Sequence, residues 1–374
     1  MRIVVSGGGT GGHIYPALAI ARYAKEYLGA EVLYIGTTQG LERDLAPRTG
    51  ISCRFIVVEG LQRKLSVRAF KTAWLALTAV LAARKELKAF RADVVVGTGG
   101  YVVAPVVFAA YSLGIRSAIM EMDALAGLAN RMVSRFADVV MLGMAAGAAS
   151  FPHAKRIEVT GNPRASEAVL AAKSSREAVR AALHLQHLPI VTIVSGSRGA
   201  KPINEAVLAW LQTSDLIGFQ VVWITGDAHY ENIQAALNTI RQPTRVCVLP
   251  YFHEMPALIA LSALLVSRAG ATILAELTAL GVPAVLIPSP YVTHRHQDVN
   301  AAALTDEGAA VLIPEAELDA NRLAHEVEGV LRRPVQLDAM KQASRRLGKP
   351  EALENIAAVL RELIVNGASG VKAK

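Results

Sequence analysis

Residues 6–16 read Ser6-Gly7-Gly8-Gly9-Thr10-Gly11-Gly12-His13-Ile14-Tyr15-Pro16. A β-branched run, Ile3-Val4-Val5, precedes them, and an apolar helical pattern of Ala17, Leu18, Ile20 and Ala21 follows. Strand, glycine-rich turn and helix in that order let a backbone approach a phosphate. Gly7, Gly9 and Gly12 satisfy the dinucleotide spacing. The second strand, Val32-Leu33-Tyr34-Ile35, nevertheless ends in Gly36-Thr37-Thr38-Gln39, with no acid for a ribose 2′-hydroxyl. Gly7 and Gly12 also have the P-loop spacing, but His13 and Ile14 stand where Lys and Ser/Thr would hold phosphate and Mg²⁺. Both common nucleotide motifs lack their chemically essential residue, and a histidine takes the key place.

Outward from this turn, strands and helices alternate. In the first half the pattern predicts strands at 2–6, 31–35, 54–58, 93–97, 117–120 and 138–141. Helices fill the gaps near 16–28, 40–48, 67–89, 103–113, 125–135 and 144–150. A break is expected at Gly161-Asn162-Pro163-Arg164, then a charged helical segment from Lys173 to Leu185. The second alternation has strands at 190–194, 221–225, 245–249, 264–267, 284–287 and 310–313. Sustained alternation predicts an α/β protein of two doubly wound, Rossmann-like parallel-sheet domains. They are expected to face one another across a cleft, with ligands beyond the carboxyl ends of the strands.

Composition agrees with that class. The chain has 374 residues, 52% apolar but only 5% aromatic, so its core is aliphatic. Long apolar runs without alternation fit parallel strands covered on both faces. The net charge of +8 points to an anionic partner, such as phosphorylated substrates or an acidic lipid surface. No run of Lys and Arg interleaved with aromatics is present, which disfavours nucleic acid. Cys53 and Cys247 stand apart, outside any C-x-x-C, and suit a reducing compartment. The start shows no secretory signal, and the apolar stretch from Thr72 to Ala83 is shorter than the ~20 residues of a membrane span.

The second half carries further anion-type turns. Ser195-Gly196-Ser197-Arg198-Gly199-Ala200 follows a strand and precedes Pro202, which suits a helix start. Ser267-Arg268-Ala269-Gly270-Ala271-Thr272 leads into Ile273-Leu274-Ala275-Glu276. A carboxylate there can accept two hydrogen bonds from a ribose diol. It would also, without any ligand, favour the helix N-terminus by ~0.3–1 kcal/mol. After a buried strand comes the polar loop Pro288 to Gln297. No D-x-D metal motif is present, so helix N-termini and cations are the expected stabilisers of a bound anion.

Taken together, six segments in one order resemble the MurG family of bacterial cell-wall glycosyltransferases. They are Gly-Gly-Gly-Thr-Gly-Gly-His, Gly97-Thr98-Gly99-Gly100-Tyr101, Gly161 to Arg164, Gly196 to Ala200, Ser267 to Thr272, and His296-Gln297. The resemblance runs from residue 1 to about 365. It implies a GT-B fold of glycosyltransferase family 28 type, with UDP-N-acetylglucosamine (UDP-GlcNAc) as donor. The implied acceptor is lipid I, undecaprenyl-pyrophosphoryl-MurNAc-pentapeptide, converted to lipid II with inversion, and no metal or cofactor is implied. The expected domains are then 1–163, facing acceptor and membrane, with helix 351–365 packing back on it, and 164–345, binding the donor.

Residue by residue, the resemblance makes His13 the candidate catalytic base and places Thr10, Gly11 and Gly12 near the donor. Arg164 would contact the nucleotide sugar, and Ser197 would lie in the diphosphate loop. Phe252 would stand beside the uracil. Ala271, Thr272, Ile273, Leu274, Ala275 and Glu276 would form the uridine and ribose segment, and Gln297 would bind sugar hydroxyls. One segment departs: where the family has His-Glu-Gln-Asn, this chain has Met120-Glu121-Met122-Asp123. Asp123 would bring a negative charge to a substrate-contacting position, and the two Met remove polar groups. The segment from Leu61 through Lys88 has basic ends around Phe70, Trp74, Leu75, Leu77, Val80 and Leu81. Part of it is expected in the core and a Trp74/Leu75 patch on an anionic leaflet, at the cytoplasmic face. Other readings are a diacylglycerol glucosyltransferase-like enzyme, a UDP-GlcNAc isomerase, and a nucleotide-binding protein without turnover.

Overall fold

The computed structural model describes residues 1–58, 67–196, 199–237 and 245–371. The chain divides into two compact units, Met1–Arg164 with Glu351–Lys374, and Ala165–Pro350.

Unit 1 begins with β1 (Arg2–Ser6), α1 (Gly11–Tyr27), β2 (Glu31–Thr37), α2 (Glu42–Leu45) and β3 (Ser52–Ile56). It continues through α3 (Val67–Phe90), β4 (Val94–Gly97), α4 (Val103–Ser112) and β5 (Arg116–Glu121). Then come α5 (Leu128–Val133), β6 (Val139–Leu142) and β7 (Ile157–Glu158). The seven strands form one parallel sheet in the order β3-β2-β1-β4-β5-β6-β7. Ile3, Val4 and Val5 are all fully buried, as consecutive residues of a strand covered on both faces must be. On one face Val4, Ile35, Val95 and Ile119 pack with Val103, Val106 and Val107 of α4 and Ala79, Ala83 and Leu87 of α3. Sheet order reverses between β1 and β4, the switch point where ligands of such sheets bind.

Unit 2 opens with α6 (Pro163–Ala182), β8 (Ile190–Val194), α7 (Lys201–Thr213), β9 (Gln220–Ile224), α8 (Asp227–Leu237) and β10 (Val246–Leu249). Next are α9 (Met255–Leu261), β11 (Leu264–Ser267), α10 (Ala271–Leu280), β12 (Ala284–Leu286), α11 (His296–Thr305) and β13 (Ala310–Leu312). It closes with α12 (Ala320–Leu331) and α13 (Pro334–Leu347); the chain then returns to unit 1 as α14 (Ala352–Val371). The six strands run parallel in the order β10-β9-β8-β11-β12-β13, with the reversal between β8 and β11. Ile193, Val221, Trp223 and Val266 pack with Val207 and Trp210 of α7 and Leu323 and Val327 of α12.

Four differences from the sequence reading have local causes. First, α1 starts at Gly11, five residues before Pro16, because Thr10 is extended (φ −131°, ψ 157°) and its carbonyl accepts from His13 N and Ile14 N, both at 3.1 Å. His13 therefore stands in the first turn of a helix. Second, Gly161–Arg164 begins a helix rather than preceding one: Asn162 Oδ1 accepts from Arg164 N at 3.0 Å, with Pro163 at the first helical position. Third, the stretch 125–135 yields only α5, and 144–150 yields a 3₁₀ turn at Ala145–Ser150. Fourth, β7 is a two-residue edge strand too short to leave a pattern. Cys53 and Cys247 are free thiols in β3 and β10, and burial pushes both thiols above their ordinary pKa.

Candidate functional site

At the switch point of unit 1 the turns after β1 and β4 interlock. Thr98 N donates to Ser6 O at 2.8 Å, and Thr98 Oγ1 to the carbonyl of His13 at 2.7 Å. Tyr34, buried, donates its hydroxyl to Gly7 O at 2.5 Å, and burial raises its pKa well above that of a free phenol. Gly99, at φ +111°, lies against the His13 ring; a Cβ there would come within 2.5 Å of Cδ2. The ring is thus held between a glycine and its own helix. Its Nδ1 lies 3.2 Å from Gly8 O and 3.4 Å from Thr10 Oγ1. A carbonyl can only accept, so Nδ1 carries the proton and Nε2 is the basic nitrogen.

His13 lines a cavity of about 560 Å³ lying wholly in unit 1. Its walls are mostly apolar: Val58, Val80, Tyr101, Phe108, Leu128 and Met132 among them. Besides His13 and the Tyr101 hydroxyl, the polar side chains among the described lining residues are Glu121 and Asn130. The Glu121 carboxylate, at the end of β5, accepts from Met122 N (3.0 Å), Asp123 N (3.2 Å), Gly127 N (3.0 Å) and Asn130 Nδ2 (3.0 Å). It folds 122–127 around itself, which is why α5 starts late. Burial raises its pKa above the ordinary glutamate value, while the Asn130 and backbone hydrogen bonds oppose that shift. Asn130 Oδ1 is buried, and among the described residues nothing donates to it.

This placement explains the departing segment. Met120 and Met122 are 0% and 4% exposed and face the interior of the fold. Their change of polarity falls on packing; Glu121, the one retained residue, is the one that reaches the cavity. Asp123 is half-buried and is not among the cavity's lining residues. Neither Glu121 nor Asn130 stood out in the sequence, since nothing local marks a carboxylate that will accept four donors.

In unit 2, Ser197 lies outside the described residues. Its turn is anchored on both sides: Ser195 Oγ donates to Asn204 Oδ1 at 2.6 Å, and Gly199 N donates to Gly196 O at 3.0 Å. Asn204 Oδ1 also accepts from Trp223 Nε1 at 3.1 Å, and Nδ2 donates to Thr225 O at 3.0 Å. After β11, Gly270 (φ −74°, ψ 139°) begins α10 without a side-chain cap. Ala271, Thr272 and Ile273 are half-buried in its first turn, while Leu274 is packed in the interior and Glu276 is 6% exposed. Arg268 donates Nη1 to Ile287 O and Pro288 O at 3.0 and 3.2 Å and pairs with Glu315, so it braces the sheet edge. Gln297 Oε1 accepts from Ser289 N at 2.9 Å, and Asn300 Nδ2 donates to Ala269 O at 3.1 Å, tying the start of α11 to that turn. Phe252 is half-buried against the cluster of Ala257 and Leu258.

Two glycine-containing turns at the switch points of two parallel sheets, a histidine at one and a buried glutamate at the other, define a class of nucleotide-sugar enzyme. Residues 3–142 match the glycosyltransferase family 28 N-terminal domain and residues 190–356 the family 28 C-terminal domain, and the chain belongs to that family. It is 46% identical, over 97% of its length and 99% of the relative's, to the UDP-N-acetylglucosamine–N-acetylmuramyl-(pentapeptide) pyrophosphoryl-undecaprenol N-acetylglucosamine transferase of Halalkalibacterium halodurans. Among solved structures, MurG of Acinetobacter baumannii superposes with a TM-score of 0.78 at 28% identity, covering 96% of this chain and 99% of that one. A UDP-GlcNAc 2-epimerase from Neisseria meningitidis reaches a TM-score of 0.69 at 15% identity, over 97% of this chain and 100% of its own. That second likeness is one of fold alone.

Proposed function

We propose that this protein transfers N-acetylglucosamine from UDP-GlcNAc to undecaprenyl-pyrophosphoryl-MurNAc-pentapeptide, the lipid I to lipid II step of peptidoglycan synthesis. The observation that carries the reading is the 46% identity to a transferase of that name over nearly the whole of both chains.

The acceptor belongs to the cavity of unit 1 and the donor to the turns of unit 2. The acceptor hydroxyl oxygen bonds to the anomeric carbon as the bond from that carbon to the β-phosphate oxygen breaks. UDP leaves with the electron pair, the configuration inverts, and the hydroxyl proton passes to His13 Nε2. The uncapped N-terminus of α10 supplies dipoles for the leaving diphosphate. Glu276 holds the ribose and Gln297 the sugar hydroxyls.

α3 suits a membrane-linked acceptor. Its Ala76 and Val80 line the cavity, while Trp74, Leu77 and Leu81 are 67%, 51% and 56% exposed at i, i+3 and i+7. Leu75, expected beside Trp74, is half-buried, so the outward stripe runs through Leu77 instead. Lys85 and Lys88 are exposed further along the same helix. Leu61 to Lys64 lie outside the described residues, as does the side chain of Phe70. Among the described residues no helix is long and apolar enough to cross a membrane. We assign this face to shallow docking on an anionic leaflet at the cytoplasmic side, where the lipid tail of the acceptor resides.

The test is UDP release from UDP-GlcNAc. It should depend on lipid I and fall by about 10²–10⁴-fold in His13→Gln. Release without lipid I, or full activity in the variant, would overturn the acceptor or the base.

A further inference from the structure

Glu42 opens α2, next in space to the glycine-rich turn and 33 residues beyond Gly9 in the chain. Its side chain is 0% exposed. Oε1 accepts from Thr37 N at 3.0 Å and from Thr37 Oγ1 at 2.6 Å; Oε2 accepts from Gly9 N at 3.1 Å. The Thr37 hydroxyl itself accepts from Gly40 N at 3.0 Å, so its own proton points at the carboxylate. All three partners are donors, so both carboxyl oxygens are engaged as acceptors. Among the described residues no cation pairs with it. The walls are close: a Cβ on Gly8 or Gly40 would meet the carboxylate at 2.4 or 2.0 Å. A buried carboxyl satisfied by neutral donors alone is costly to hold in the interior.

The peptide between Gly8 and Gly9 connects this charge to the histidine. Its N–H donates to Glu42, and its C=O faces His13 Nδ1 at 3.2 Å. A carboxylate pulling on the N–H enriches the carbonyl oxygen of the same planar amide. That strengthens the Nδ1–H bond, holds the tautomer with Nε2 basic, and stabilises the imidazolium formed when Nε2 takes the acceptor's proton.

We infer that Glu42 is a positioning residue acting on His13 through the Gly8–Gly9 peptide, a carboxylate–peptide–histidine relay; this rests on the reading of His13 as the base. Among the described residues, the other titratable groups at the glycine turn and the cavity are Tyr15 on its own helix, Tyr34 of β2, Tyr101 after β4 and Glu121 at the end of β5. Glu354 and Arg361 of α14 face Tyr23, near the other end of α1. Glu42, unlike any of these groups, is joined through one peptide to the carbonyl that His13 contacts.

The test uses the full chain with ¹⁵N-labelled histidine, His13 being assigned among the nine histidines with His13→Gln. In the parent, neutral His13 should carry its proton on Nδ1. In Glu42→Gln its titration midpoint should fall by about one pH unit, the effect of a unit charge roughly 8 Å away at an effective dielectric of about 20, after screening. The acid limb of kcat/KM should move to lower pH by the same amount. kcat should fall about tenfold, while KM for UDP-GlcNAc changes less than about twofold. Glu42→Asp, which keeps the charge, should restore much of the midpoint. Equal midpoints in parent and Glu42→Gln overturn the relay. If Glu42→Gln does not fold, the parent's tautomer decides: a proton on Nε2 overturns it. Undiminished turnover in His13→Gln would instead remove the base assignment, leaving the coupling to be judged by the midpoints alone.

Discussion

Replacing Asn204 by Ala should both destabilise unit 2 and loosen the turn that follows β8. Asn204 is 4% exposed and joins Ser195, Trp223 and Thr225 through three hydrogen bonds. The Ser195 hydroxyl can rotate to another acceptor. The Trp223 indole N–H and the Thr225 carbonyl, in residues that are 0% exposed, cannot. Each of the two stranded groups costs roughly 1–3 kcal/mol, so the variant should lose about 2–6 kcal/mol. For a unit of this size that lowers the melting temperature by about 5–15 °C. Two of the chain's three tryptophans, Trp210 and Trp223, sit in the unit 2 core, so fluorescence during urea unfolding reports this unit. Because Ser195 tethers the turn through Asn204, UDP affinity measured by titration calorimetry at a temperature where the variant is folded should fall about tenfold or more. A loss under about 1 kcal/mol with unchanged UDP affinity would refute the argument that the Asn204 hub holds the turn.

Glu276→Ala should weaken UDP by about ten- to hundredfold, the loss of charge-assisted ribose bonds, read by calorimetry with the full chain. Asp123 does not line the cavity assigned to the acceptor, so Asp123→Asn should leave kcat/KM for lipid I within about twofold, read in the UDP-release assay. Trp74→Glu with Leu77→Glu should abolish sedimentation with phosphatidylglycerol vesicles while turnover of a short-chain, water-soluble acceptor persists. Glu121 gives a pH signature: its pKa is raised in the folded state, so the native protein binds more protons than the unfolded chain from the ordinary glutamate value upward. The stability it contributes is complete below that value and is lost as pH rises through the folded pKa; Glu121→Gln should flatten that slope in pH-dependent unfolding.

Strands were the most readable elements because both sheets are parallel and covered on each face. Ile3-Val4-Val5 and Ile190 to Val194 announce themselves by β-branched runs. Helix starts were harder. Pro16 marks a helix that begins at Gly11, because the extended Thr10 caps it with its carbonyl alone. Asn162-Pro163 had the side chain to cap a helix, yet its neighbouring glycine made it read as a break. Small-residue turns pointed to His13 and to α10 because a glycine-containing turn between strand and helix leaves a local signature. Glu42, Glu121 and Asn130 left none. Each acts on groups brought close by sheet pairing or loop folding, and Met120 and Met122 drew attention to a polarity change that burial makes a matter of packing.

α14 carries a consequence for how the protein is made. Its Leu353, Ile356 and Leu360 lie against Ile20 and Ala24 of α1, the helix whose first turn bears His13, and against Leu28 just beyond it. On the ribosome the amino-terminal 164 residues emerge first but must wait for the final helix to cover that apolar face. Residues 165–350 emerge in between and have their own sheet and core, so they can fold while the earlier segment is still incomplete. The order of folding then need not follow the order of synthesis. A chain released before Leu353 would carry a finished second unit and a first unit with the helix that bears His13 uncovered, a ready target for quality-control proteases.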